Sequence, residues 1–178
     1  RVFIAPNAAT ARPAQPPRER PTEFRDGKPV ILFVGRLQAR KRVDALMHAC
    51  AALPATLQPR LVIVGDGPAR EMFEDVARRV YPSAEFVGAR HDAELFPYFA
   101  AADLFVLPGT GGLAVQQAMS HGLPVMVAEA DGTQSDLVRA GNGWVLPPND
   151  DAALERALAE ALMDVERLRL MGRESYRI

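Results

Sequence analysis

Apolar positions along the chain fall into two alternating patterns. The first is the short unbroken run. Val30-Ile31-Leu32-Phe33-Val34 closes on Gly35, Leu61-Val62-Ile63-Val64 on Gly65, and Phe86-Val87 on Gly88. Leu104-Phe105-Val106-Leu107 closes on Pro108, Pro124-Val125-Met126-Val127 ends at Ala128, and Trp144-Val145-Leu146 ends at Pro147. Such runs predict strands covered on both faces, as in parallel sheets. The second pattern has helical spacing. Val43, Leu46, Met47 and Cys50 share one face; Met72, Phe73, Val76, Ala77 and Val80 share another. Leu95, Tyr98, Phe99 and Ala102 make a third face, and Leu154, Ala157, Leu158, Ala161 and Leu162 a fourth, with Asp150 or Asp151 as its N-cap.

Strand and helix alternate throughout, which predicts an α/β fold over residues 29–178: a Rossmann-like, doubly wound, parallel six-stranded sheet. Residues 1–28 read differently. Val2–Ala5 is a strand-like piece stopped by Pro6-Asn7, and Pro13, Pro16, Pro17 and Pro21 stiffen a linker with no apolar repeat.

Composition narrows the function classes. The chain has 178 residues, 48% hydrophobic and 24% charged, the make-up of one globular domain with a proper core. A net charge of −1 argues against a nucleic-acid or membrane-surface binder acting through bulk charge. The single cysteine, Cys50, excludes an internal disulfide and fits a reducing compartment. No apolar run approaches the roughly 18–20 residues of a membrane span.

Ligands of doubly wound sheets sit beyond the carboxyl ends of the strands, so the chemistry is sought in the loops that follow them. After the first strand, Arg36 and Lys41 flank a short turn. They are placed either to clamp a diphosphate, Arg as a fork and Lys as a point charge, or simply to lie in solvent. Gly65-Asp66-Gly67-Pro68 lacks the third glycine of a dinucleotide fingerprint, because Arg70 stands there. It reads as a tight strand-to-helix turn with Pro68 in the helix's first turn. After the fourth strand, Gly109, Gly111 and Gly112 precede a helix through Ser120. Their backbone amides and the helix N-terminus form an anion site, or the glycines serve only chain geometry. His48 falls within a helix, His121 in the turn before the fifth strand, and His91 at a helix start within reach of a ligand. No Asp-x-Asp pair or His/Cys cluster has metal-ligand spacing, and no phosphate-binding P-loop occurs.

Taken in order, several segments resemble the C-terminal, donor-binding domain of the retaining glycosyltransferases of family 4 (group 1), which have the two-domain GT-B architecture. They are Val34-Gly35-Arg36-Leu37 with Lys41, Val64-Gly65-Asp66-Gly67-Pro68, Phe86-Val87-Gly88, Ala102-Asp103-Leu104-Phe105-Val106-Leu107-Pro108, Ala118-Met119 with Gly122-Leu123-Pro124-Val125, and Asn142-Gly143. The resemblance implies an enzyme that binds a nucleotide-diphosphate sugar and transfers the sugar to an acceptor sugar or glycolipid with retention. It implies no cofactor and no metal, and a place in cell-envelope polysaccharide or lipopolysaccharide synthesis. The location it implies is cytoplasmic, with peripheral contact at the inner face of the membrane. Arg36 and Lys41 match the pair that stabilises the leaving diphosphate. Gly35, Gly88, Gly111, Gly112, Leu113, Ala114 and Gln117 match donor-binding positions. Residues 1–28 match the passage from an acceptor domain that this chain lacks, so the piece alone is expected to be inactive.

One departure stands out. The family carries two glutamates eight residues apart before Ala-Met, and here those positions are Gly109 and Gln117. Three rivals therefore stay open: a catalytically silent domain of the same fold, a nucleotide-sugar epimerase, and, against the glycine pattern, a nicotinamide dehydrogenase.

Overall fold

The computed structural model describes residues 19–130, 132 and 136–178. The strand-like piece Val2–Ala5 and Asn7 lie outside the described residues. Six strands form one sheet: β1 (Val30–Val34), β2 (Arg60–Val64), β3 (Glu85–Gly88), β4 (Leu104–Leu107), β5 (Val125–Ala128) and β6 (Gly143–Leu146). Their order is β3-β2-β1-β4-β5-β6 and every pairing is parallel. This is the doubly wound arrangement read from the alternating runs, and its order reverses between β1 and β4. All residues of β1, β4 and β5 are buried, as expected for strands with helices on both faces.

Among the described residues, the helices around the sheet include α1 (Val43–Ala52), α2 (Arg70–Val80), α3 (Phe96–Ala101), α4 (Leu113–Ser120), α5 (Asp151–Leu162) and α6 (Val165–Arg177). Helix α1 packs against α2 and α5, and α4 against α6. Val43, Leu46, Met47 and Cys50 are all fully buried, as their spacing implies. In α2 the buried residues are Phe73 and Ala77, whereas Met72 is 44% exposed. Met72 therefore lies off the face assigned to it, since an apolar side chain at the margin of a helical stripe is free to face water. Pro68 stands in the turn before α2, whose cap is Ala69, and not in the helix. Asp150 is the cap of α5, its carboxylate accepting from the Ala153 amide at 2.8 Å.

The packed body reaches back before β1. Residues 22–24 form a single tight turn whose Phe24 is buried, beneath the Arg60 guanidinium and edge-on to Tyr98. Arg20 pairs with Asp103, which also accepts from the Val30 amide at 2.8 Å. One buried carboxylate thus ties the start of β1 to the start of β4.

Candidate functional site

The reversal between β1 and β4 leaves a crevice at the carboxyl ends of those strands. A hollow of about 380 Å³ lies there, with Val34 at the end of β1, the following Gly35, and Leu107 from β4 in its wall. Lys41, Gly111, Gly112, Leu113, Ala114 and Gln117 line it too. The structure therefore gathers Gly35, Lys41 and the start of α4 into one space. Helix α4 opens on Gly112 with no side chain capping it, and Gly112, Leu113 and Ala114 at its start line this hollow.

Lys41 is half-buried, and its ammonium donates to the carbonyl oxygen of Thr110. Burial, and then the neighbouring Arg40 charge, lower its pKa from the usual lysine value. Both causes raise the free energy of the cation, so an anion beside it gains more than beside a free surface lysine.

The turn carrying Lys41 is locked to the glycine-rich loop. Thr110 N donates to the Arg40 carbonyl at 3.3 Å, and Arg40 Nη1 donates to Thr110 Oγ1 at 2.6 Å. Gly109 packs against the same turn: a Cβ there would lie 2.1 Å from the Arg40 carbonyl oxygen and 2.7 Å from Lys41 Cα. At Gly111, φ is +146° and a Cβ would lie 2.5 Å from Lys41 Nζ. Gly109 is therefore required by the close approach of the Arg40–Lys41 backbone, and Gly111 by its positive φ. The position where the resemblance expects a glutamate has no room for any side chain.

Arg36 is exposed and lies in a second hollow, of about 260 Å³, beside the first. Val34, Gly35, Val64, Gly65, Asp66, Ala89, Arg90 and His91 complete it. The two hollows share Val34, Gly35, Arg90 and His91 as a common wall. Gly88 lines neither. Its φ is +77°, and its carbonyl accepts from the Gly65 amide at 2.9 Å, so it turns the chain out of β3 and delivers Ala89–His91 to the site.

His91 caps the short helix Asp92–Leu95 in a reciprocal arrangement with Glu94 and also lines both hollows. Arg90 was legible only as a basic residue just past a strand-closing glycine, the same signal that drew attention to Arg36. His48 is exposed on α1. His121 is buried against Phe99, ring stacked on ring at 4.4 Å, away from these hollows. Burial pushes the Cys50 thiol up to about 12, which keeps it protonated and unreactive. Among the described residues, no group of three His, Cys, Asp or Glu side chains could hold a metal ion. Among the same residues, no helix is long and apolar enough to cross a membrane.

A doubly wound parallel sheet with a cation and a glycine-rich helix start at its switch point defines a Rossmann-like ligand-binding domain. The chain belongs to the glycosyl transferases group 1 family, whose model matches residues 28–164. It is 37% identical over 154 residues to a GDP-mannose-dependent alpha-mannosyltransferase of Mycobacterium tuberculosis, covering 84% of this chain and 39% of that protein. The C-terminal domain of a glycosyl transferase group 1 family protein (LpcC) from Francisella tularensis superposes with a TM-score of 0.77. It covers 92% of each chain at 20% identity. Anabaena HepE, in a structure with UDP and glucose, superposes with a TM-score of 0.72 at 25% identity, over 83% of this chain and 42% of that one. The fold is thus that of the Rossmann-like half of GT-B glycosyltransferases, and this chain spans about two fifths of the mannosyltransferase it matches.

Proposed function

We propose that this chain is the donor-binding half of a retaining glycosyltransferase of family 4. In this reading residues 29–178 hold a nucleotide-diphosphate sugar, and residues 1–28 lead from an acceptor-binding half. One observation carries it: Lys41 and the first residues of α4 line a single hollow at the switch point of the sheet.

The residues divide the work by position. The α4 amides of Gly112, Leu113 and Ala114 and the Lys41 ammonium meet the phosphate next to the sugar. Arg36 reaches the diphosphate from the adjoining hollow, across Gly35. Gln117, on the first turns of α4, hydrogen-bonds a donor hydroxyl. As the bond from the sugar to the diphosphate lengthens, positive charge develops on the sugar and negative charge on the leaving oxygen. Lys41, Arg36 and the helix dipole are most favourable at that moment, which lowers the barrier and does not merely tighten binding. The acceptor hydroxyl attacks from the face the diphosphate leaves and gives its proton to the departing phosphate oxygen, preserving the anomeric configuration. The leaving charge is met by these protein groups, without a metal or cofactor in the scheme. Acceptors are sugars or glycolipids of the cell envelope, met on the cytoplasmic side through the other half of the enzyme.

Gly109 favours a second reading, a catalytically silent donor-binding domain, because no carboxylate can stand at its position. Incubating the full-length protein with activated sugars and acceptors separates the two. A glycosylated product whose anomeric configuration by NMR matches the donor supports the transferase. Binding without turnover supports the silent domain, and an epimerised sugar with no acceptor addition supports an epimerase. Failure of this chain to bind any nucleoside diphosphate by calorimetry defeats all three.

A further inference from the structure

The cation of the donor hollow is held by residues that do not line it. Arg40 and Thr110 stand outside the walls of both hollows, yet two hydrogen bonds join them. The Thr110 amide donates to the Arg40 carbonyl at 3.3 Å, and Arg40 Nη1 donates to Thr110 Oγ1 at 2.6 Å. The guanidinium is held on its other side too, where Nε donates to Gln38 Oε1 at 2.9 Å. The Gln38 carbonyl in turn accepts from the Lys41 amide at 2.9 Å. The Lys41 ammonium closes the circuit by donating to the Thr110 carbonyl. Gln38, Arg40, Lys41 and Thr110 thus form one hydrogen-bonded ring between the loop after β1 and the loop after β4.

We propose that Arg40 and Thr110 are positioning residues for Lys41, fixing its ammonium on the Thr110 carbonyl so that the donor diphosphate meets a cation already in place. This inference rests on the donor-site reading above. A lysine ammonium is a point charge on a flexible four-carbon stem, and nothing in the side chain itself sets where it stands. A carbonyl can fix it only if the peptide that carries the carbonyl is fixed. Arg40 does this from two sides, through its own carbonyl on the Thr110 amide and through its guanidinium on the Thr110 hydroxyl. Each contact is exposed and weak alone, but members of one network are coupled, and breaking one loosens the rest.

The ring also gives Gly109 a purpose. Its missing side chain is what lets the Arg40 carbonyl reach the Thr110 amide, since a Cβ there would lie 2.1 Å from that carbonyl oxygen. The position where the resemblance expects a glutamate is thus given over to bringing Arg40 onto Thr110. Arg40 acts in a second way. Its charge is one of the two causes that lower the Lys41 pKa, after burial, so the same residue that fixes the ammonium also makes it a costlier cation for an anion to relieve.

Two measurements test this. The chain's only lysines are Lys28 and Lys41, so lysine-selective carbon-13 labelling gives two side-chain signals to titrate by NMR, which Lys41→Ala assigns. Arg40→Ala is expected to raise the Lys41 pKa, and Arg40→Lys, which keeps a like charge, to raise it less. The second measurement is calorimetric titration with GDP and UDP. Thr110→Val is expected to weaken binding about fivefold and Arg40→Ala about tenfold, the scale of a neutral and a charge-assisted hydrogen bond. Thr110→Ser keeps the hydroxyl and restores the affinity. In a Lys41→Ala background neither Arg40→Ala nor Thr110→Val has a further effect, because both act through the ammonium. Equal losses with and without Lys41 overturn the proposal, as does Thr110→Ser binding no better than Thr110→Val. Absence of binding of both nucleotides by the native chain defeats the donor site itself. The Lys41 titration then still decides the lock: a raised pKa in Arg40→Ala supports it and an unchanged one overturns it.

Discussion

The ammonium of Lys41 rests on the main-chain carbonyl of Thr110, a residue 69 positions further along the chain. This contact joins the loop after β1 to the loop after β4 across the point where the strand order reverses, so the cation is already in place before a ligand arrives. Its partner in sequence, Arg36, is exposed and lies in the neighbouring hollow. The two cations are therefore unequal. Lys41→Ala is expected to weaken nucleoside-diphosphate binding by about 1.5–3 kcal/mol, the range of a charge-assisted contact. Arg36→Ala is expected to weaken it by about 1 kcal/mol or less, because solvent screens an exposed charge. Calorimetry on both variants checks the ranking; equal losses contradict it.

Gly109 offers a sharper steric test. Any side chain there meets the Arg40 carbonyl and the Lys41 backbone. Gly109→Ala is expected to destabilise the chain by about 1–3 kcal/mol, as overpacking does, and to loosen Lys41 with it. Gly109→Glu does not install a working carboxylate and binds donor more weakly than the native chain. Urea melts and donor titrations of both variants report this, and tighter donor binding by Gly109→Glu refutes it.

Asp103 ties β1 to β4 from the opposite end of the strands. Removing its carboxylate leaves the buried Val30 amide without its acceptor and Arg20 without its partner. Asp103→Ala is expected to lower stability by about 1–3 kcal/mol, the penalty of an unsatisfied buried group. Asp103→Asn retains an oxygen for Val30 and loses less. Equal midpoints for the two variants in urea contradict this account.

His121 predicts a pH dependence. Burial lowers its pKa from the ordinary 6.5, against the opposing hydrogen bond to the Gln117 carbonyl, 2.8 Å from Nδ1. With Nδ1 donating there, Nε2 is bare and has no partner among the described residues. A histidine with a depressed folded pKa binds its proton more readily in the unfolded chain. Its contribution is complete above 6.5 and is lost as pH falls from there through the folded value. His121→Phe keeps an aromatic ring against Phe99 and is expected to flatten the loss of stability on acidification below that value. An unchanged slope assigns the acid sensitivity to other groups.

The sheet was legible because each strand is an unbroken apolar run closed by Gly, Pro or Ala, and such runs admit few alternatives. Helix α6 was not legible. Its buried positions include Gly172 and Ser175, while apolar Leu170 on the same helix is 55% exposed. A hydrophobic pattern cannot show a face built from small residues. At the site, Lys41, Leu113 and Gln117, all named from the motif spacing, line one hollow. The spacing could not show that a single step past Gly35 turns Arg36 into the next one. Nor could it show the Thr110 lock, which depends on side-chain conformations at two loops far apart in sequence. Arg90 gave a visible signal, a cation after a strand-closing glycine, but its standing in a wall shared by two hollows is a property of the folded chain alone.

Gly172 of α6 sits where a Cβ would lie 2.1 Å from the Gly122 carbonyl oxygen. Backbone therefore meets backbone at the base of α4, and α6 closes the underside of the unit that aims the α4 amides upward. The family match stops at residue 164, just before this helix begins. Cutting the chain there would remove the backbone packed on Gly122 and Pro124 and leave α4 without a support at its base. The packed unit is thus longer than its recognisable motifs, and α6 supports the base of α4 from beyond them.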